Sequence, residues 1–141
     1  MEVCPLCAED GGKVVRRNDL LRVVLVDDPE LPGFVRVIVN SHAKEVTDLD
    51  PHAREELWHT VLAVEEAQRE IFGPLKMNLA SLGNAVPHVH WHVIPRFADD
   101  PFYPQPIWGV RQRETPAPVL AARRALVPAL EKRLREKIRG D

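Results

Sequence analysis

Three histidines at alternate positions, His88, His90 and His92, constrain the fold of this chain more than any other feature of its sequence. Successive side chains of an extended strand point to opposite faces, so this spacing places all three imidazoles on one face. The residues between them are β-branched or aromatic, and Pro87 and Pro95 flank the run as prolines that strand ends and edges tolerate. The sequence therefore predicts a short, rigid strand that carries a row of imidazoles.

Two kinds of chemistry use imidazoles that lie this close together. Two or three neutral imidazoles hold a catalytic zinc ion and leave one position for water. Alternatively, one imidazole nitrogen is a nucleophile while its neighbours hold charge and protons. The spacing alone leaves both open.

The full motif is more specific. Residues His88 to Ile94 resemble the signature of the histidine triad (HIT) family of nucleotide hydrolases and transferases at all seven positions, and residues 78–88 resemble the segment that leads into it. The resemblance implies an α+β fold with an antiparallel sheet of about five strands, one long core helix and a C-terminal helix. It also implies a homodimer, a nucleotide substrate and no catalytic cofactor.

The resemblance gives each triad histidine a role in catalysis. His90 is the expected nucleophile, which attacks the α-phosphate of a nucleotide and carries a transient nucleotidyl group. His92 is expected to contact the phosphate or the leaving group, and His88 completes the row. Ala85 departs from related branches, which place Ser or Thr there to meet the leaving group, so the bond that is cleaved stays open among dinucleoside polyphosphates, phosphoramidates and acyl adenylates.

Four further residues are candidates for nucleotide binding. Asn84 and Asn78 fall at or near polar positions of the family and are expected to donate to phosphate, although Gly83-Asn84 is also an ordinary turn dipeptide. Asp27 is the nearest match to a residue that accepts hydrogen bonds from ribose hydroxyls. Arg96 follows the triad strand and either faces phosphate or is solvated.

Two other functions remain open at this stage. A hydrolase that uses the three histidines as ligands of a catalytic metal predicts activity that chelators abolish. A non-catalytic module that binds a nucleotide in the same pocket predicts affinity without turnover.

The only cysteines, Cys4 and Cys7, form a Cys-x-x-Cys pair near the start of the chain. Metal binding is the better interpretation of this spacing in a chain without other thiols, although a free or redox-active pair is an alternative. Some HIT relatives complete such a site with two histidines, and the corresponding positions here are His42 and His88. The expectation is a structural Zn²⁺ site.

The 141 residues fit a single domain, with a core at 1–97, a proline-rich loop at 98–117 and a C-terminal helix at 118–139 that is kinked or split near Pro128. Strands are predicted at 20–26, 34–39 and 75–81, and a helix at 51–72 that starts at the N-cap Asp50 and stops at Gly73. In the loop, Phe102 and Trp108 either pack it down or stack on a base.

Composition argues for an ordinary globular protein. A formal charge of −2 and a hydrophobic content of 45% are unlike those of a disordered or nucleic-acid-binding chain. No apolar stretch approaches the ~20 residues that span a bilayer, and no signal peptide is evident. These features predict a cytoplasmic protein without a membrane or nucleic-acid partner.

Overall fold

A five-stranded antiparallel sheet forms the framework of the protein. The computed structural model describes residues 3–141. The strands are β1 (Lys13–Arg17), β2 (Leu21–Leu25), β3 (Val35–Val39), β4 (Lys76–Ala80) and β5 (His90–Arg96), in the spatial order β1-β2-β3-β5-β4. The helices are α1 (Pro5–Ala8), α2 (Pro51–Phe72), α3 (Ala117–Arg124) and α4 (Val127–Lys137). The predicted α+β class is confirmed, and β1 is a strand that the sequence patterns do not identify.

Alternation along the strands separates two faces of the sheet. Val35, Val37 and Val39 of β3 enter the main core, which also contains apolar residues of α2 and α4. The opposite face carries two smaller apolar clusters, one around Ile38 and one around Phe34. His90 and His92 belong to this second face, because they alternate along β5 with residues that pack in the main core.

Helix α2 begins and ends where the sequence predicts. The Asp50 carboxylate accepts a hydrogen bond from the Ala53 amide (2.8 Å), and Gly73 ends the helix with a left-handed conformation (φ 55°). Buried Gln68 donates its amide to the carbonyl oxygens of Gly33 and Val93, both at 2.8 Å, and so fixes the helix on the sheet. Within residues 3–141, no helix is long and apolar enough to cross a membrane.

The C-terminal segment forms two helices, α3 and α4, with a break just before Pro128. Pro128 lies in the first turn of α4, where its missing N–H needs no acceptor. Leu130 and Leu134 of α4 are fully buried in the main core. Beyond the helix, Asp141 exchanges two backbone hydrogen bonds with Arg17, so the C-terminus covers β1 and leaves β4 as the opposite edge.

Candidate active site

The triad lies at the start of β5, and its three side chains differ in their surroundings. His88 is buried immediately before the strand, His90 is half-buried at its first position, and His92 is buried two residues later. The rings of His90 and His92 meet edge to face, with centroids 4.9 Å apart. The strand therefore places the imidazoles of His90 and His92 in contact, whereas His88 lies before its first residue.

The hydrogen bond of His90 decides which of its nitrogens is reactive. Its Nδ1 lies 2.6 Å from the backbone carbonyl oxygen of His88. A carbonyl only accepts, so Nδ1 carries a proton, and in the neutral ring the lone pair is on Nε2. A fixed tautomer with a free Nε2 is what a nucleophilic or proton-accepting imidazole requires.

His92 is held neutral. Burial, followed by the neighbouring His90 and Arg36, lowers the pKa of His92 to about 4. The Nε of Arg36 donates to Nδ1 of His92 over 3.4 Å, a long contact that leaves Nε2 of His92 as the protonated nitrogen. His92 is therefore a neutral hydrogen-bond donor at neutral pH. Phe34 and Trp108 pack edge-on against its ring, with centroids 5.7 and 5.0 Å away.

A second group of side chains gathers at His88. Cys4, Cys7, His42 and His88 each offer one ligand atom, and these atoms all lie within 4.8 Å of one another. Nδ1 of His88 is 3.4 Å from Sγ of Cys4, 3.6 Å from Sγ of Cys7 and 3.3 Å from Nδ1 of His42. Sγ of Cys7 is 3.4 Å from Nδ1 of His42. Residues far apart in the sequence thus converge on one point.

These separations fit a tetrahedral metal site. Ligands at about 2.05 Å (N) and 2.3 Å (S) from a zinc ion lie roughly 3.3–3.8 Å from one another. The other nitrogen of His88, Nε2, donates to the carbonyl oxygen of Val39 at 2.6 Å. A backbone carbonyl that orients a histidine in this way is typical of metal ligands, and it frees Nδ1 for the metal. The donor set and geometry match a structural zinc site.

A cavity of about 400 Å³ opens beside His90. Arg36 of β3 lines it together with Val86 and residues of the N-terminal segment. Arg36 is not among the residues predicted from the sequence, although the sequence contains a signal for it. It is the only charged residue in the strand Val-Arg-Val-Ile-Val, and it alternates with the valines that enter the main core, so it lies on the opposite face.

The predicted nucleotide-binding residues are less well assembled than the triad. Asp27 is exposed and lines a different cavity, of about 490 Å³, together with Arg124 and Glu131 of the C-terminal segment. The structure therefore does not bring Asp27 into the His90 cavity. Asn84 is exposed in the turn before the triad, next to Gly83 with its positive φ of 78°.

Arg96 requires a correction. Its side chain is only 2% exposed and donates two hydrogen bonds, of 2.8 and 3.0 Å, to the Asp100 carboxylate. A third hydrogen bond, of 2.7 Å, reaches Oδ1 of Asn78, and a fourth reaches the carbonyl oxygen of Gln105. The guanidinium is neither solvated nor free for phosphate. It anchors the proline-rich loop, and Asn78 takes part in that anchor.

We expect Asp100→Asn to destabilise the fold by about 3–5 kcal/mol, because the substitution leaves the buried Arg96 charge without its partner. Burial opposes ionisation of Asp100, but hydrogen bonds from Arg96 and from backbone amides outweigh it and lower the pKa of the carboxyl group. Denaturant unfolding measures the effect. Asp99→Asn is the matched control: Asp99 pairs with Arg123 but is 42% exposed, so its loss should cost about 1 kcal/mol or less. Equal costs would contradict the assignment.

Comparison with known proteins agrees with this geometry. A family model for the HIT domain matches residues 8–99, which include all five strands and the triad. The chain belongs to the HIT domain family. The match confirms the resemblance seen in the triad motif, and it ends before α3 and α4 begin.

The chain is similar to other HIT proteins along most of its length. It is 29% identical to a histidine triad protein of Bradyrhizobium japonicum, with 92% of both chains covered and a TM-score of 0.73. It is 28% identical to one of Marinobacter aquaeolei, with 94% and 97% covered and a TM-score of 0.71. A curated relative, the asymmetrical bis(5'-nucleosyl)-tetraphosphatase of Schizosaccharomyces pombe, is 32% identical over 91 residues, which are 61% of this chain. The chain matches about half the length of that relative (50%).

Proposed function

We propose that this HIT protein hydrolyses a nucleotide derivative at its α-phosphate through a covalent intermediate on His90. The observation that carries the proposal is the bond from Nδ1 of His90 to the His88 carbonyl, because in the neutral ring this bond leaves the lone pair on Nε2 of a residue that lines an open cavity. The similarity to a dinucleoside tetraphosphatase supports a phosphoric anhydride as the bond that is cleaved.

The reaction would proceed by two displacements. Nε2 of His90 forms a bond to the α-phosphorus, the bond to the leaving group breaks, and the nucleotidyl group stays on His90. Water then attacks the phosphorus, the P–N bond breaks, and the nucleoside monophosphate leaves with His90 restored. The Nε2–H of neutral His92 would donate a hydrogen bond to the phosphate or to the leaving oxygen. Asn84 and Asp27 remain candidates for nucleotide contact.

The arrangement of the histidines favours this mechanism over a catalytic metal held by the triad. Nδ1 of His88 points to the cysteines, whereas Nδ1 of His90 is bonded to a carbonyl oxygen. In the described part of the chain, the groups with metal-ligand geometry include His88 but neither His90 nor His92. The row of histidines is thus divided between two sites.

Intact-mass analysis after a short reaction tests the mechanism. The protein is incubated with diadenosine tetraphosphate or an adenosine phosphoramidate, with and without chelator, and quenched in denaturant at high pH. An AMP adduct on His90 that forms in both conditions, within a reaction too short for the chelator to remove a structural ion, supports the covalent mechanism. Turnover that stops at once with chelator would favour a catalytic metal, and binding without adduct or turnover would favour a non-catalytic module.

The Cys4, Cys7, His42 and His88 group is proposed to hold a structural Zn²⁺ ion. The metal would tie the N-terminal segment to the strand that carries the nucleophile. Because the His88 carbonyl also accepts the His90 hydrogen bond, the same residue would link the metal to the orientation of the nucleophile. Thiolate ligands fit a reducing compartment, which supports the expected cytoplasmic location.

We also propose a homodimer that forms along β4. This strand is a sheet edge, and it pairs with β5, which carries Trp91. The ring of Trp91 lies 5.6 Å from that of the exposed Trp58, and exposed Leu62 lies one turn further along α2, so we assign these three residues to an apolar surface. Nε1 of Trp91 is buried without a hydrogen-bond partner among the described residues. A second copy would cover the apolar surface and the strand edge together.

Leu62→Asp should convert the dimer to a monomer, because it places an unpaired carboxylate in the apolar contact. Light scattering coupled to gel filtration measures the change from two chains to one. Leu126→Asp is a matched control, since Leu126 has nearly the same exposure (37% against 36%) but lies between α3 and α4. A wild-type protein that is already monomeric, or dissociation in the control alone, would contradict this interface.

A further inference from the structure

Arg36 is an unusual residue for its position. It is the second residue of β3, a central strand whose other members are Val and Ile, and it pairs in register with His92 on β5. Its side chain is half-buried, and burial lowers the pKa of the guanidinium from its ordinary value. Placing a cation there costs free energy unless an anion or several acceptors compensate it.

Two other arginines on the same face of the sheet are fully compensated. Arg22 donates to three backbone carbonyl oxygens and to the side chain of Asn40. Arg96 forms a bidentate pair with Asp100. Both are therefore parts of the framework, with their donors turned into the protein.

Arg36 differs because most of its donors are unused. Among the described residues it makes two hydrogen bonds, one to Nδ1 of His92 and one of 3.1 Å to the carbonyl oxygen of Gly11. A guanidinium has five N–H groups, so three remain. No carboxylate in the described chain lies within ion-pair distance of it; Glu9, which lines the same cavity, is exposed and accepts no bond from Arg36. The described residues therefore leave this charge without an anionic partner.

The cavity that Arg36 lines is the one that contains His90. We propose that Arg36 is a further catalytic residue, which binds the oxygens of the phosphoryl group that His90 attacks. This inference rests on the proposed function and adds the group that neutralises the phosphate. His92 is a neutral donor, His90 is assigned the role of nucleophile, and Arg22 and Arg96 are occupied, so Arg36 supplies the positive charge.

The chemistry of phosphoryl transfer explains why a guanidinium suits this position. Negative charge spreads over the non-bridging oxygens of the transferred group in the transition state, and a planar fork of N–H donors binds two such oxygens at once. The bond to Nδ1 of His92 fixes the guanidinium plane and keeps Nε2–H of His92 as a second donor. Arg36 and His92 would thus bind one phosphate together.

Binding and kinetic measurements on Arg36→Met and Arg36→Lys test the proposal. We expect Arg36→Met to weaken AMP binding about tenfold and to leave the affinity for adenosine unchanged, because only AMP carries the phosphate. The kcat/KM for diadenosine tetraphosphate and for an adenosine phosphoramidate should fall equally, by about 10²–10³-fold. Arg36→Lys should restore part of both losses. Arg69→Met, which removes an exposed charge on α2, should leave all four values unchanged.

Thermal denaturation shows whether each variant folds, and the lysine variant gives a test if the methionine variant does not. Equal losses for AMP and adenosine would place Arg36 on the nucleoside and overturn the proposal. A kinetic loss confined to the tetraphosphate would place Arg36 on the leaving group and would also overturn the proposal. Wild-type protein that binds AMP no better than adenosine also overturns it. If AMP binding responds as expected while the wild type hydrolyses neither substrate, the proposed function fails and phosphate binding by Arg36 stands.

Discussion

His90→Gly should reduce turnover by about 10³-fold or more while nucleotide affinity changes only a few-fold. The nucleophile forms the bond to phosphorus, whereas binding depends on other groups of the cavity, so the two properties separate at this residue. Single-turnover kinetics with diadenosine tetraphosphate measures the first effect and calorimetric titration with AMP measures the second. The variant should also form no nucleotidyl adduct.

Added imidazole provides a sharper test of the same variant. Glycine leaves a space of the size of the missing ring, so free imidazole should restore part of the turnover to His90→Gly and none to the wild type. His59→Ala is the matched control, since His59 is an exposed histidine of α2 and its loss should leave turnover unchanged. A loss of AMP affinity as large as the loss of turnover would show that His90 is a binding residue and that the nucleophile lies elsewhere.

The parts of the fold that local sequence determines were predictable. The period of two identifies the strand that carries His90 and His92, although His88 lies before its first residue, and the Asp50 cap and the Gly73 stop give the ends of α2. Strand β1 has no such signal, because its five residues are Lys-Val-Val-Arg-Arg and its pairing with β2 shifts register between Val14 and Arg16. It depends on tertiary contacts, among them the backbone bonds to the C-terminal residue.

The site could be predicted only where motif and spacing carry the information. The four proposed metal ligands lie in three separate segments, at positions 4 and 7, at 42 and at 88, and no periodicity connects these segments. The cysteine spacing indicates a metal, but family resemblance alone adds the two histidines. The partner of a charged side chain is equally hard to predict. The sequence leaves Arg96 open between phosphate contact and solvation, whereas the structure pairs it with Asp100, four residues later, inside the loop. Arg36 was overlooked for the converse reason, because only the structure shows that its charge lacks a partner.

Loss of one metal ligand should strongly destabilise the protein. We expect His42→Ala to lower the melting temperature by on the order of 10 °C, because the proposed ion would stabilise the folded state and a site with three ligands would hold it weakly. His42 is exposed, and an ordinary exposed histidine contributes little to stability. His52→Ala, at an equally exposed histidine of α2, is therefore the matched control, with an expected change of about 2 °C or less.

Metal analysis of untagged protein, purified without chelator, completes this test. One zinc ion per chain in the wild type and much less in His42→Ala would agree with the four-ligand site. Turnover should fall together with zinc occupancy, because His88, a proposed metal ligand, also supplies the carbonyl that orients His90. Substoichiometric zinc in the wild type, or equal melting temperatures for the two histidine variants, would contradict the zinc assignment. The short distances among Cys4, Cys7, His42 and His88 would then describe a packed thiol–imidazole cluster.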